Sequence, residues 1–158
     1  MRNLILCALL LCALPSYAQL SINVDHTKSK QADFKTVGLN LQYFFGFSSY
    51  SMPGINTGIY YRSDAGAQSL MIPANLQYRH YLIGRQGCIG GLYAEVMGGA
   101  NFIRTLENRE PKFETAPTAS GGLGLYIMPG LDFNFRIGGE YRNETISPFY
   151  GVKLGYVI

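Results

Sequence analysis

The chain has 158 residues, of which 15% are charged, with a formal net charge of +3 and no tryptophan. This length suits a single domain. A nucleic-acid-binding protein would concentrate basic residues on one face, and the nearly balanced charges here exclude that class.

The first eighteen residues have the three regions of a secretory signal peptide. Arg2 provides a positive charge, residues 4–14 form an apolar run, and Ser16 and Ala18 are the small residues that signal peptidase requires. A membrane-spanning helix needs about 20 apolar residues, so this run is too short to be an anchor. We expect cleavage after Ala18, leaving residues 19–158 as the mature domain.

Cleavage would also remove two of the three cysteines. Cys7 and Cys12 lie in the apolar run, and the bulky residues before them, Leu6 and Leu11, disfavour lipidation. Only Cys88 would stay in the mature chain, which therefore could not form an internal disulfide. We interpret Cys88 as a free thiol near a turn, because no histidine or aspartate is placed to activate it.

The mature region repeatedly alternates apolar and polar residues, and this period of two is typical of β-strands. In the clearest segment, residues 131–141, Phe133 and Phe135 alternate with Asp132, Asn134 and Arg136. The pattern predicts eight strands, at residues 20–26, 37–47, 55–62, 70–79, 91–102, 122–127, 131–141 and 151–158.

The composition of the polar face indicates which face is inside. A soluble barrel would expose Lys, Glu and Asp, whereas this polar face consists mainly of Gly, Asn, Gln and Tyr, which suit a narrow interior. We therefore predict a polar interior and a lipid-facing apolar exterior. The opposite arrangement, a soluble lipocalin-like binder of small ligands, is the alternative. Aromatic residues near strand ends are suited to interfacial girdles, namely Tyr43, Phe45, Tyr61, Tyr78, Phe102, Tyr141 and Tyr156.

These patterns predict an all-β fold, an eight-stranded antiparallel up-and-down transmembrane β-barrel. Side chains fill a barrel of this size, so it should not be an open pore. With both termini on the periplasmic side, residues 103–119 would form the longest external loop, and residues 128–130 a tight periplasmic turn. Residues 48–53 and 82–87 would also be periplasmic links.

Charged residues on the polar face form the candidate site. In a water-poor lumen an unpaired charge would be costly, so we expect an internal salt-bridge network that plugs the barrel. The functional alternative is a gate or a path for small solutes. The candidate residues are Arg62, Arg79, Glu95, Asp132, Arg136, Glu140 and Lys153.

The sequence carries no signature of catalysis, cofactor binding or metal binding. His26 and His80 lack the spacing of a metal site, and the glycines of residues 121–124 are not followed by a helix that could bind a cofactor. The enzymatic alternative is a barrel that modifies lipid A as a deacylase or acyltransferase. It would use His26 with Ser29, or His80 with a distant serine.

Four segments resemble the small porin-like outer-membrane β-barrel proteins common in Bacteroidetes: residues 54–62, 70–78, 91–99 and 150–158. The resemblance implies the barrel fold and location in the outer membrane, but little about biochemistry. We expect a structural or interaction role at the cell envelope. The expected partners are outer-membrane lipid, lipopolysaccharide and, during insertion, the barrel-assembly machinery, for which Tyr156 would be the recognition aromatic. We expect a monomer.

Overall fold

The computed structural model describes residues 19–45, 48, 50–64, 67–84, 90–107, 110–127, 130–142 and 144–158. The predicted signal peptide, Cys88 and most of the predicted turn at 128–130 lie outside these ranges. Within them, no helix is long and apolar enough to cross a membrane. The strands are β1 (Gln19–Ser29), β2 (Phe34–Phe44), β3 (Ser51–Asp64), β4 (Ala67–Ile83), β5 (Gly90–Glu107), β6 (Glu110–Ile127), β7 (Leu131–Arg142) and β8 (Thr145–Val157).

The eight strands form a closed antiparallel barrel. Each strand pairs with the next one along the chain, and β1 pairs with β8 to complete the ring. Closure removes the exposed edges that an open sheet would leave unpaired. The predicted eight-stranded up-and-down barrel is confirmed.

The barrel has two different ends. We call the end that holds Gln19 and Ile158 the terminal end; β2, β4 and β6 end there, and β3, β5 and β7 begin there. At the other end, which we call the hairpin end, β1, β3, β5 and β7 end and β2, β4, β6 and β8 begin. The periplasmic links predicted at 48–53 and 82–87 are displaced by three and two residues along the chain, because β3 begins at Ser51 and β4 continues to Ile83.

The predicted loop at residues 103–119 is wrong. β5 and β6 continue through it as a long hairpin, in which Ile103 pairs with Glu114 and Glu107 with Glu110. Pro111 and Pro117 are compatible with this hairpin, because pairing between β6 and β7 runs only from Thr118 to Ile127. Residues 110–117 therefore pair only with β5 and project beyond the rim. Proline is tolerated there because no strand on the other side requires a backbone N–H donor.

The outer surface is apolar and the interior is polar. Ile59, Leu76 and Ile137 face outwards with 62–71% of their surface exposed, whereas Asn40 and Gln42 are buried inside. A soluble protein rarely exposes a continuous apolar surface of this extent. The predicted orientation is confirmed, and the lipocalin-like alternative, which requires the reverse arrangement, is wrong.

Candidate functional site

An apolar cluster closes the lumen at the terminal end. We call this cluster the aromatic plug. The rings of Tyr81 and Tyr93 meet edge to face at 5.8 Å. Tyr93 fits because Gly124, opposite it, has no side chain. A Cβ added at Gly124 would lie only 2.1 Å from Tyr93 Cζ. The plug consists of Phe44, Met52, Tyr81, Tyr93, Tyr126 and Val157.

Arg79 lies next to the aromatic plug and is fully buried. Its Nη2 atom is 2.9 Å from Glu95 and 2.8 Å from Asp132 on the far side of the lumen. The guanidinium also lies over the rings of Tyr93 and Phe44, at 3.9 and 4.3 Å from the centroids. Two carboxylates and two ring faces together replace the water that this cation lost.

Lys153 extends this group of charges to β8. Its Nζ atom lies 2.9 Å from Glu95 and donates to Gln42 at 3.0 Å. Asp132 also accepts a hydrogen bond from the hydroxyl of Tyr93. The charges form a continuous chain from Asp132 through Arg79 and Glu95 to Lys153, so β4, β5, β7 and β8 are linked across the lumen.

A second group of charges lies nearer the hairpin end. Arg136 on β7 contacts Asp25 on β1 at 2.6 Å and donates to Thr27 at 3.1 Å. Tyr60 donates its hydroxyl to the same Asp25 carboxylate at 2.8 Å, and Asn40 donates to Tyr60. Asp25 is thus held by a cation and a phenol from two different strands.

Arg62 and Glu140 form the third group, and their pair spans the barrel. They lie on β3 and β7, four strands apart in the ring of eight. Arg62 donates to Glu140 at 2.8 Å, and Asn101 donates to the same carboxylate at 2.7 Å. Arg62 also contacts Asp64 at 3.0 Å and stacks on Phe34 at 4.2 Å.

The Arg62–Glu140 pair separates two spaces. Below it is a cavity of about 30 Å³, also lined by Tyr60, Asn101 and Arg136. That volume admits very few water molecules. Above the pair is a mouth pocket of about 390 Å³ at the hairpin end, where Arg142 contacts Asp64 and Glu114 at 2.6 and 2.7 Å.

The structure places all seven candidate residues inside the barrel, each in an ion pair. They comprise four cations and three anions, and the structure adds a fourth lumen anion, Asp25. Two signals could have identified it: Asp25 follows Ser21 and Asn23 on the polar face of the first strand, and the predicted set lacked one negative charge. The mouth residues Asp64, Glu114 and Arg142 were also missed.

The structure does not bring His26 and Ser29 together. His26 faces outwards and hydrogen-bonds to the carbonyl oxygen of Thr36, whereas Ser29 faces inwards and donates to the carbonyl oxygen of Pro148. Because side chains alternate between faces, residues three apart in a strand lie on opposite sides. A dyad of His26 and Ser29 is therefore excluded.

His80 does have a serine partner. Ser51 lies opposite it across β3 and β4, with Oγ 3.0 Å from Nδ1, and Tyr78 donates its hydroxyl to the same Oγ. This pair lies on the outer face near the terminal end. In the described ranges no carboxylate hydrogen-bonds to the ring, so the orienting member of a catalytic triad is missing. Nor do the described residues include a cluster suited to binding a metal ion.

Known structures provide the comparison, since no family model and no curated protein matches the chain. The N-terminal β-barrel domain of Pseudomonas aeruginosa OprF is 15% identical, with a TM-score of 0.59, over 89% of this chain and 97% of that one. Neisserial surface protein A is 9% identical, with a TM-score of 0.63, over 89% and 94%.

A third similar structure is the outer membrane enzyme PagL. It is 13% identical, with a TM-score of 0.58, over 87% of this chain and 98% of that one. At these identities the likeness concerns the fold. Together with the apolar exterior it shows that the chain has the transmembrane β-barrel architecture of small outer-membrane proteins.

Proposed function

We propose that this protein is an outer-membrane β-barrel with a sealed lumen and a structural or interaction role at the cell envelope, rather than a pore. The observation that carries the proposal is the set of buried ion pairs that join opposite walls of the barrel. A channel needs a continuous water-filled path, whereas here charged side chains bind one another across the lumen.

The lumen is blocked at three levels. From the terminal end, a solute would first meet the aromatic plug and then the chain of charges from Asp132 to Lys153. From the hairpin end, it would meet the Arg62–Glu140 pair below the mouth pocket. The second and third levels are buried ion pairs, and separating such a pair would leave uncompensated charges in the lumen, so spontaneous opening of the whole path would be rare.

Location in the outer membrane is part of the proposal. It is supported by the signal-peptide pattern of residues 1–18, by the apolar exterior, and by the likeness of the fold to solved structures of outer-membrane barrels. The resemblance to the small porin-like barrels of Bacteroidetes supports the same location. We further propose insertion by the barrel-assembly machinery through Tyr156, and a monomeric state.

An interaction role would use the hairpin end. There the β5–β6 hairpin projects beyond the rim, Arg142 and Asp64 line the mouth pocket, and Glu114 contacts Arg142; all three side chains are partly exposed. Pairing of these groups with one another leaves the mouth nearly balanced in charge. The lumen beneath it would act as a rigid support for whatever the rim contacts.

Lipid hydrolysis is the second candidate function, and the Ser51–His80 pair is the observation that favours it. A lipid A deacylase or acyltransferase would need the serine as nucleophile and the histidine as base. The test is release of fatty acid from lipopolysaccharide or phospholipid by the purified protein. Loss of such release in Ser51→Ala would establish this function; no release from the unaltered protein would exclude it.

The sealed lumen is tested by conductance. The protein, expressed with its own N-terminal segment and purified from membranes, would be added to planar bilayers beside a general porin as positive control. We expect no stable large channels from this protein. Steady openings at concentrations where the porin also conducts would contradict the proposal. Recovery in the soluble fraction without detergent would contradict the location.

A further inference from the structure

Three lysines lie together at the hairpin end of the outer surface. Lys28 on β1 and Lys35 on β2 are direct cross-strand partners, and Lys30 follows in the turn between these strands. Their neighbours Thr27, Ser29, Phe34 and Thr36 are buried inside, so alternation directs Lys28 and Lys35 outwards.

The lysine cluster lacks a counterion among the residues that the structure describes. Like charges directly opposite on neighbouring strands are destabilising. The carboxylate of Asp64, on the strand next to β2, is bound to Arg62 and Arg142 on the lumen side. Asp33 in the same turn is exposed, and the cluster keeps a net positive charge. An anion bound from outside would relieve this repulsion.

An apolar groove begins directly beside the cluster. It has a volume of about 530 Å³ and is lined by Lys30, Ile137, Pro148 and Tyr150 among others. Tyr150 is the cross-strand partner of Lys28, so the groove and the cluster share a border.

We propose that this surface binds one anionic phospholipid-type molecule. The phosphate would contact Lys28, Lys30 and Lys35, and an acyl chain would lie in the groove. This inference rests on the proposed function, because it requires the barrel to stand in a bilayer with the hairpin end at one headgroup layer. Tyr150, with its ring between groove and cluster, suits that boundary.

The arrangement matches the two parts of such a lipid. Lysine is a compact point charge that binds phosphate well, and a lysine near a membrane surface adds about fivefold in affinity for anionic lipid. The apolar part of the groove would accept the chain without a polar partner. Cluster and groove together therefore favour an acylated phosphate over a free anion.

The test uses the purified protein in nonionic detergent with fluorescent phosphatidylglycerol, and with phosphatidylcholine of the same chains. We expect tighter binding of phosphatidylglycerol, weakened about fivefold by Lys30→Gln and at least tenfold by the triple change Lys28→Gln, Lys30→Gln, Lys35→Gln. Arg104→Gln, which removes an outward cation on the opposite side of the barrel, is the matched control.

Three results would overturn the inference: equal binding of the two lipids, unchanged binding in the triple variant and in Lys30→Gln, or full competition by glycerol phosphate, which has no chain. The same preparations are checked for the heat-dependent gel mobility of a folded barrel and for insertion into vesicles. Failure to insert would contradict the proposed function, whereas insertion without lipid preference would overturn the lipid site alone.

Discussion

The inner and outer faces of this barrel come from alternate residues of the same strands, yet they are stabilised in different ways. On β7, Asp132 and Arg136 make ion pairs with side chains from other strands, while Phe133 and Phe135 between them are exposed on the outer surface. Adjacent residues of one strand therefore differ: the inward side chain has fixed ionic partners, and the outward side chain has none.

This difference predicts two kinds of response to substitution. An inward residue is tied to particular atoms, so its loss leaves partners buried and uncompensated. An outward residue needs only apolar surroundings. Exchanging one apolar residue for another there should change the free energy of unfolding little, whereas adding a charge should lower it strongly.

Arg79→Leu should have the largest effect. It removes the cation between Glu95 and Asp132, and we expect it to lower the free energy of unfolding by about 3–5 kcal/mol. His80→Leu, the next residue along β4 and outward-facing, should change it by no more than about 0.5 kcal/mol. Urea unfolding of protein folded into lipid vesicles measures both. Equal effects of the two variants would contradict the difference between faces.

A charge on the outer face should be next in size. Leu76→Arg places it near the middle of the apolar band, at a cost of about 2–4 kcal/mol. Ile83→Arg, at the terminal end of the same strand, should cost only about 0–1 kcal/mol because the interface lies close. The same unfolding measurement applies. A cost independent of position would indicate that this face is not in contact with lipid.

The fold could be predicted because the alternation of apolar and polar residues in β-strands is visible in a single sequence. All eight predicted segments correspond to strands, and in this chain the small and amide residues of the polar face indicated which side is inside. The β5–β6 hairpin was missed because Pro111 and Pro117 suggest a loop unless one knows that this part of β6 has a single neighbour.

The partners within the lumen could not be predicted. Alternation indicates that Arg62 and Glu140 face inwards, but their meeting depends on the stagger of every strand between β3 and β7. The same applies to Ser51 and His80, which are paired through the register of β3 with β4. Residue type identifies candidates for such a network, whereas strand register decides which of them are in contact.

Gly124→Ala should have an intermediate effect. Its new methyl group would lie 2.1 Å from Tyr93 Cζ in the aromatic plug, so we expect a loss of about 1–3 kcal/mol. Gly121→Ala on the outer face of the same strand is the matched control, because its methyl group would meet its nearest neighbour at 3.8 Å. Thermal unfolding in detergent would compare them. Equal melting temperatures would mean that the plug is loosely packed.

Ser51→Ala should have the smallest effect on stability. The hydroxyl contacts His80 and Tyr78 on the exposed surface, so we expect a change within about 0.5 kcal/mol. A larger loss in urea unfolding would show that this group of side chains holds β3 against β4.

The central claim, a polar interior within a lipid-facing exterior, can be tested directly because the chain contains no tryptophan. Each of two variants would contain a single tryptophan. Phe133→Trp on β7 would face outwards, and Tyr126→Trp on the adjacent strand β6 would lie in the aromatic plug. In bilayers of lipids with brominated acyl chains, we expect strong quenching of Phe133→Trp and little quenching of Tyr126→Trp. Strong quenching of Tyr126→Trp with none of Phe133→Trp would contradict the account.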